Sequence, residues 1–87
     1  MFIYNQFFMN AKALGLTFGL FVGVCHFGWM IISLLTGYAK DIIIQFGSLH
    51  PGFSYTYGGA LWMGILHFIM GFIVAYLFAL VYNKLSK

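Results

Sequence analysis

Gly58–Tyr82, GGALWMGILHFIMGFIVAYLFALVY, contains no Lys, Arg, Asp or Glu. At ~1.5 Å per residue its roughly 25 residues would cover ~37 Å as a helix, enough to cross a hydrocarbon core of ~30 Å with some tilt. The stretch therefore predicts a transmembrane helix. Stepping by ~100° per residue places Ala60, Gly64, His67, Gly71, Val74, Ala75 and Phe78 on one side. That face consists mostly of small residues and carries one imidazole. Leu61, Ile65, Ile69, Phe72, Ile73, Leu77 and Leu80 fall on the other faces and suit acyl chains.

Composition agrees with this reading. The chain has 87 residues, 63% hydrophobic, 22% aromatic and 6% charged, whereas a soluble domain averages roughly 25% charged residues. Four Lys and one Asp cannot keep such a chain dissolved as a monomer, so a single membrane-embedded folding unit is expected. The net charge of +3 comes without any Arg and without a basic stripe, so it is no nucleic-acid footprint. A lone Cys, Cys25, excludes an internal disulfide and a Cys-rich metal site.

A second span precedes the first in sequence. Ala13–Thr36, ALGLTFGLFVGVCHFGWMIISLLT, is about 24 residues long. Gly15, Gly19 and Gly23 recur every fourth residue, a doubled small-xxx-small pattern that lets helix backbones approach closely in lipid. His26, Trp29, Met30 and Ser33 extend that face, while Phe18, Phe21, Cys25 and Ile32 fall elsewhere. Ahead of this span, residues 1–12 place Ile3, Tyr4, Phe7, Phe8 and Ala11 on one helical face and read as a short helix lying at the membrane surface. A frayed start of the span is the alternative. No signal-peptide cleavage site follows the apolar run.

Residues 37–57 join the spans. Gly37 is a helix stop, and Asp41 is a candidate cap for a turn or two through Ile42–Phe46. Gly47-Ser48 and His50-Pro51-Gly52 are turn chemistry. Tyr38, Phe53, Tyr55 and Tyr57 predict an aromatic belt. Lys12, Lys84, Lys87 and the amino terminus flank one side of the hairpin; the loop holds Lys40 and Asp41, which cancel. The positive-inside rule then places both termini, with the tail 83–87, in the cytoplasm.

His26 and His67 are the chemically suggestive residues. They lie ~20 Å and ~22 Å from the cytoplasmic ends of their helices, so an antiparallel hairpin sets them at similar depth on the two small-residue faces. An ionisable group inside a span is a functional hypothesis by default. The pair could ligate a haem or a metal, relay a proton, or form a polar seam in an oligomer. The blander alternative has each imidazole donating one hydrogen bond across the interface, to a backbone carbonyl, Ser33 or Tyr76. Nothing else suits an enzyme. The spans hold no acid, there is no Ser-His-Asp set or phosphate loop, and Cys25 and His26 point ~100° apart on a helix.

Lys12-Ala13-Leu14-Gly15-Leu16, Thr36-Gly37-Tyr38, Gly47-Ser48-Leu49-His50-Pro51-Gly52-Phe53, the Gly58-Gly59…Trp62…Gly71 spacing and Tyr82-Asn83-Lys84 together carry a resemblance. From about Asn10 onward the chain resembles a family of small two-span bacterial and archaeal membrane proteins, often labelled bacteriophage holin or left as a domain of unknown function. Many of those relatives look to carry an acid before the Gly71 region; this chain has His67 and no carboxylate there. The resemblance implies a hairpin with both termini inside that self-associates in the inner membrane.

The expectation is thus an all-α membrane hairpin, non-enzymatic and holin-like, that self-assembles through glycine-rich helix faces packing against each other or against neighbouring helices. Its packing residues are Gly15, Gly19, Gly23, Ser33, Ala60, Gly64, Gly71 and Ala75, with His26 and His67 as a possible ligand site or polar seam. Its expected partners are the lipid bilayer and either further copies of itself or a larger membrane complex, for example a respiratory one, in which it is an accessory subunit. No metal is expected, and no cofactor beyond a possible haem or lipid.

Overall fold

Asn10 opens the first long helix. Its backbone is extended (φ −78°, ψ 106°), and its side-chain oxygen accepts the Ala13 N–H at 3.0 Å, satisfying one of the donors that a helix start leaves unpaired. Helix α1 then runs Ala11–Thr36, 26 residues, or ~39 Å. It stops at Gly37, whose φ of +79° only glycine adopts at no steric cost; the Gly37 N–H donates to the Ser33 carbonyl at 2.6 Å. The computed structural model describes residues 8–87. Of the surface helix expected over 1–12, positions 1–7 lie outside the described residues, 8–10 are not helical, and Ala11 and Lys12 already belong to α1.

Helix α2, Lys40–Gly47, occupies the connection. Asp41 is not its cap, contrary to the sequence reading. The chain turns within Tyr38 and Ala39, and Ala39 holds the cap position with φ 58° and no side-chain hydrogen bond. The helix therefore restarts before Asp41, which lies in the first turn, where its carboxylate still faces the positive end of the helix dipole.

Helix α3, Tyr57–Leu85, has 29 residues, ~43 Å. Thr56 caps it by accepting the Gly59 N–H at 2.9 Å. The helix outlasts the expected boundary at Tyr82, because Asn83 is tied into the structure. Its side chain accepts the Met9 N–H at 2.7 Å and donates to the Met9 carbonyl at 2.8 Å, pinning the start of the described chain to the end of α3.

The described residues form helices joined by turns, bends and short irregular stretches, with no strand. Helices α1 and α3 form an elongated hairpin of 53 × 20 × 18 Å, and each is long and apolar enough to cross a membrane. They meet along rows of small residues spaced mostly by four, the ridge direction that governs close helix packing. Gly15, Gly19, Gly23, Met30 and Ser33 are the buried residues of α1, and Ala60, Met63, Gly64, Gly71, Ala75 and Ala79 are buried on α3. A Cβ placed on Gly19 would lie 2.6 Å from the Phe68 carbonyl oxygen, and one on Gly23 would lie 2.8 Å from that of Gly64. One on Gly71 would reach 3.0 Å from the Gly19 Cα. The backbones are in contact, and no side chain larger than hydrogen fits between them.

The contact face of α3 differs from the projected one in two ways. Val74 and Phe78, assigned to it, are exposed, whereas Phe72, assigned to lipid, is half-buried over Gly15. A row spaced by four drifts around a helix with a 3.6-residue period, so the buried stripe runs on through Ala75 and Ala79 rather than staying at a fixed angle.

The connection folds back onto the hairpin end. Phe53 lies on Gly47, and Gly59 packs on Ser54. The Trp62 indole N–H donates to the Pro51 carbonyl at 2.7 Å. The fully buried Ser33 hydroxyl pairs with the Tyr55 hydroxyl at 2.6 Å, and the Lys40 ammonium sits 5.4 Å above the Tyr55 ring. Of the expected aromatic belt, Tyr38 and Tyr57 are exposed, while Phe53 and Tyr55 turn inward to make these contacts.

Gly19→Ala should destabilise the hairpin by about 1–3 kcal/mol, the usual cost of overpacking a tight contact. Gly28→Ala should leave it unchanged or slightly more stable, because nothing lies within 4 Å of a Cβ there. Unfolding by sodium dodecyl sulfate in mixed micelles, followed by circular dichroism, measures both. Equal behaviour of the two variants would rule out the backbone contact.

Candidate functional site: a histidine-lined cavity

Gly23 and Gly64 touch, and the histidines three residues after each reach back along their antiparallel helices to share the space beside that contact. His26 and His67 do so by stacking, with ring centroids 3.7 Å apart and planes 11° from parallel. His50, from the turn after α2, lies with its centroid 5.1 Å from that of His67 and its plane tilted by 40°. The three imidazoles line one wall of a cavity of about 240 Å³. Met30 and Met63 also line it, and Trp29, Phe46 and Phe53 contribute aromatic wall.

Each imidazole is held in the same way. The Nδ1 of His26 is 2.7 Å from the Val22 carbonyl oxygen, that of His67 is 2.8 Å from the Met63 carbonyl oxygen, and that of His50 is 3.0 Å from the Phe46 carbonyl oxygen. A carbonyl oxygen only accepts, so Nδ1 is the donor in all three. In a neutral ring the lone pair then sits on Nε2. These bonds run back to the fourth residue before each histidine, within the local turn. The bland sequence alternative, a hydrogen bond across the helix interface to a carbonyl, Ser33 or Tyr76, is not what forms. Ser33 is taken by Tyr55, and Tyr76 stacks on Phe72 with centroids 5.7 Å apart.

The structure places the eight sequence-assigned packing residues, Gly15, Gly19, Gly23, Ser33, Ala60, Gly64, Gly71 and Ala75, in the buried seam between α1 and α3. The glycines on both helices therefore face each other inside one chain. His50 is the functional candidate that sequence reasoning passed over. Its neighbours Pro51 and Gly52 marked it as turn chemistry, and the return of α2 over the hairpin end is what brings it to His67. Met63 was missed because a thioether on an apolar helix gives no signal of its own. Cys25 is exposed and takes no part in the cavity lining.

The space bears on which ligand could enter. About 240 Å³ is below the ~300–1,000 Å³ typical of sites for drug-sized organic ligands, so the cavity suits an ion or a very small molecule better than a haem. Among the described residues no three His, Cys, Asp or Glu side chains are grouped so as to hold a metal ion by themselves. No family model, curated protein or solved structure matches the chain.

The hydrogen bonds require all three rings to carry their proton on Nδ1. Long-range ¹⁵N–¹H correlation spectra of the imidazoles should show the Nδ1–H form, with unprotonated Nε2, for His26, His50 and His67 in the neutral state. Nε2–H signals would contradict the arrangement.

Proposed function

We propose that this chain is a two-span integral membrane protein without enzymatic activity, a holin-like hairpin that works as an assembly of several copies, with both termini in the cytoplasm. The observation that carries the membrane reading is the outer surface. Leu16, Leu20, Phe21, Val24, Ile32 and Leu35 of α1, with Leu61, Ile65, Ile69, Ile73, Leu77 and Val81 of α3, are all exposed. Only 22% and 17% of the most apolar stretches of α1 and α3 is buried. In water such a surface greatly exceeds the few hundred Å² of apolar patch that a soluble monomer tolerates; in lipid it is the normal exterior. The helices themselves satisfy their backbone groups, as a span must.

Assembly is supported by the resemblance to two-span holins and by the shape of the hairpin, since two helices enclose nothing on their own. The glycine rows are occupied within the chain, so copies in this reading meet through the outer Leu, Ile and Phe faces rather than through Gly15, Gly19 and Gly23. The charge distribution, with Lys12, Lys84 and Lys87 at one end and Lys40 beside Asp41 at the other, supports cytoplasmic termini.

Native mass spectrometry of material extracted gently from its own membrane tests this. The expected result is a mass equal to a whole number of copies, from protein that resists alkaline carbonate extraction. A mass that requires other polypeptides would replace the reading with that of an accessory subunit in a larger complex. Release by carbonate would overturn the membrane assignment itself.

A further inference from the structure

We propose that the cavity at the loop end of the hairpin binds one Cu(I) ion, through Nε2 of His50 and His67 and a thioether of Met30 or Met63, with His26 as a positioning residue. This site stands apart from the assembly reading and does not depend on it.

The ring separations favour the pair His50 and His67 over the stacked pair His26 and His67. With a metal–nitrogen distance of ~2.0 Å and a ring nitrogen ~1.1 Å from its centroid, two imidazoles sharing one ion in a bent or linear arrangement have centroids about 5–6.3 Å apart. His50 and His67, at 5.1 Å and tilted by 40°, meet that condition. His26 and His67, at 3.7 Å and nearly parallel, are too close and too well stacked to share an ion. The stack instead fixes the plane of the His67 ring, and the Nδ1 bonds to the Met63 and Phe46 carbonyls leave Nε2 of both ligands with its lone pair. This is the usual outer-shell device that sets the tautomer and orientation of a metal-binding histidine.

The choice of metal follows from charge and softness. No carboxylate lines the cavity, and Asp41, the only acidic side chain in the sequence, is in the exposed first turn of α2. A divalent ion would keep its full charge in a half-buried, apolar setting, and the desolvation cost grows with the square of the charge. A monovalent ion held by neutral ligands avoids most of that cost. Met30 and Met63 are both buried and both line the cavity, and thioethers select Cu(I) among the biological first-row ions. Cu(I) also accepts low coordination numbers. Two imidazoles and one sulfur therefore suffice, where a zinc site would need the three or four His, Cys or acidic ligands that are not grouped here.

The test is an anaerobic titration of the full chain in micelles with Cu(I), using bicinchoninate as the competing chromophore. All variants are built on Cys25→Ser, so that the exposed thiol contributes nothing. One equivalent should bind, and X-ray absorption should show nitrogen and sulfur in the first shell. His50→Ala and His67→Ala should weaken binding by more than about tenfold, as should Met30→Leu combined with Met63→Leu, which keeps core volume. His26→Phe, which preserves a stacked ring, should leave the first-shell composition unchanged, whereas His26→Ala should weaken binding by about tenfold. Helix content by circular dichroism confirms that each variant is folded. Absence of Cu(I) binding by the folded parent, unchanged affinity in the double Leu variant, or tighter binding of Zn(II) than of Cu(I) would each overturn the proposal.

Discussion

Backbone-to-backbone contact between α1 and α3 is the constraint on which the remaining structure depends. Gly19 meets Phe68 and Gly71, and Gly23 meets Gly64, with room only for hydrogen between the chains. In lipid the hydrophobic effect offers no drive for helices to associate, so close packing and a few interhelical hydrogen bonds must supply it. The glycines make dispersion contacts continuous along the seam, and the half-buried rings of Phe68 and Phe72 close over it from the side. An added methyl at Gly19 or Gly23 would push the helices apart along the whole contact, because both are rigid rods.

Fixing the helices at this distance decides what happens to the polar groups. Beside the Gly23–Gly64 contact the interface must admit side chains, and the imidazoles three residues after each glycine fold back along their antiparallel helices to the same place. They fit by stacking face to face, with each Nδ1–H absorbed by a carbonyl of its own helix. No polar side-chain atom is left buried without a partner among the described residues. Two turns after His26, Ser33 reaches Tyr55, so the connection is fastened to α1 by a buried hydroxyl pair. At the opposite end Asn83 fastens Met9. The seam is thus closed by specific hydrogen bonds at both ends, which sets the register of the hairpin.

The same closeness turns most large side chains of the two long helices outward. Leu, Ile and Phe residues on both helices form an exterior that only lipid or other apolar helices can cover. Helix α2 also exposes Ile42, Ile44 and Phe46. It is too short to span anything, and its role is to bring Gly47, Phe53 and His50 back over the hairpin end.

The sequence by itself determined the two long helices, since charge-free runs of spanning length and spaced glycines are properties of local composition. Asn10 and Thr56 as caps and Gly37 as the stop belong to the same local level, although only Gly37 was read in advance. The matched depth of His26 and His67 was also legible, because antiparallel geometry converts sequence distance into height. Their contact was not, as it depends on how near the helices come and which way the small rows drift. That drift is why Val74 and Phe78 are exposed and Phe72 is not. Asp41 was assigned as a cap because sequence cannot tell that Ala39 adopts a left-handed conformation. The place of His50 above His67 was decided only by the tertiary fold, because it rests on contacts such as Gly47 with Phe53 and Ser33 with Tyr55, each between residues that no periodicity relates.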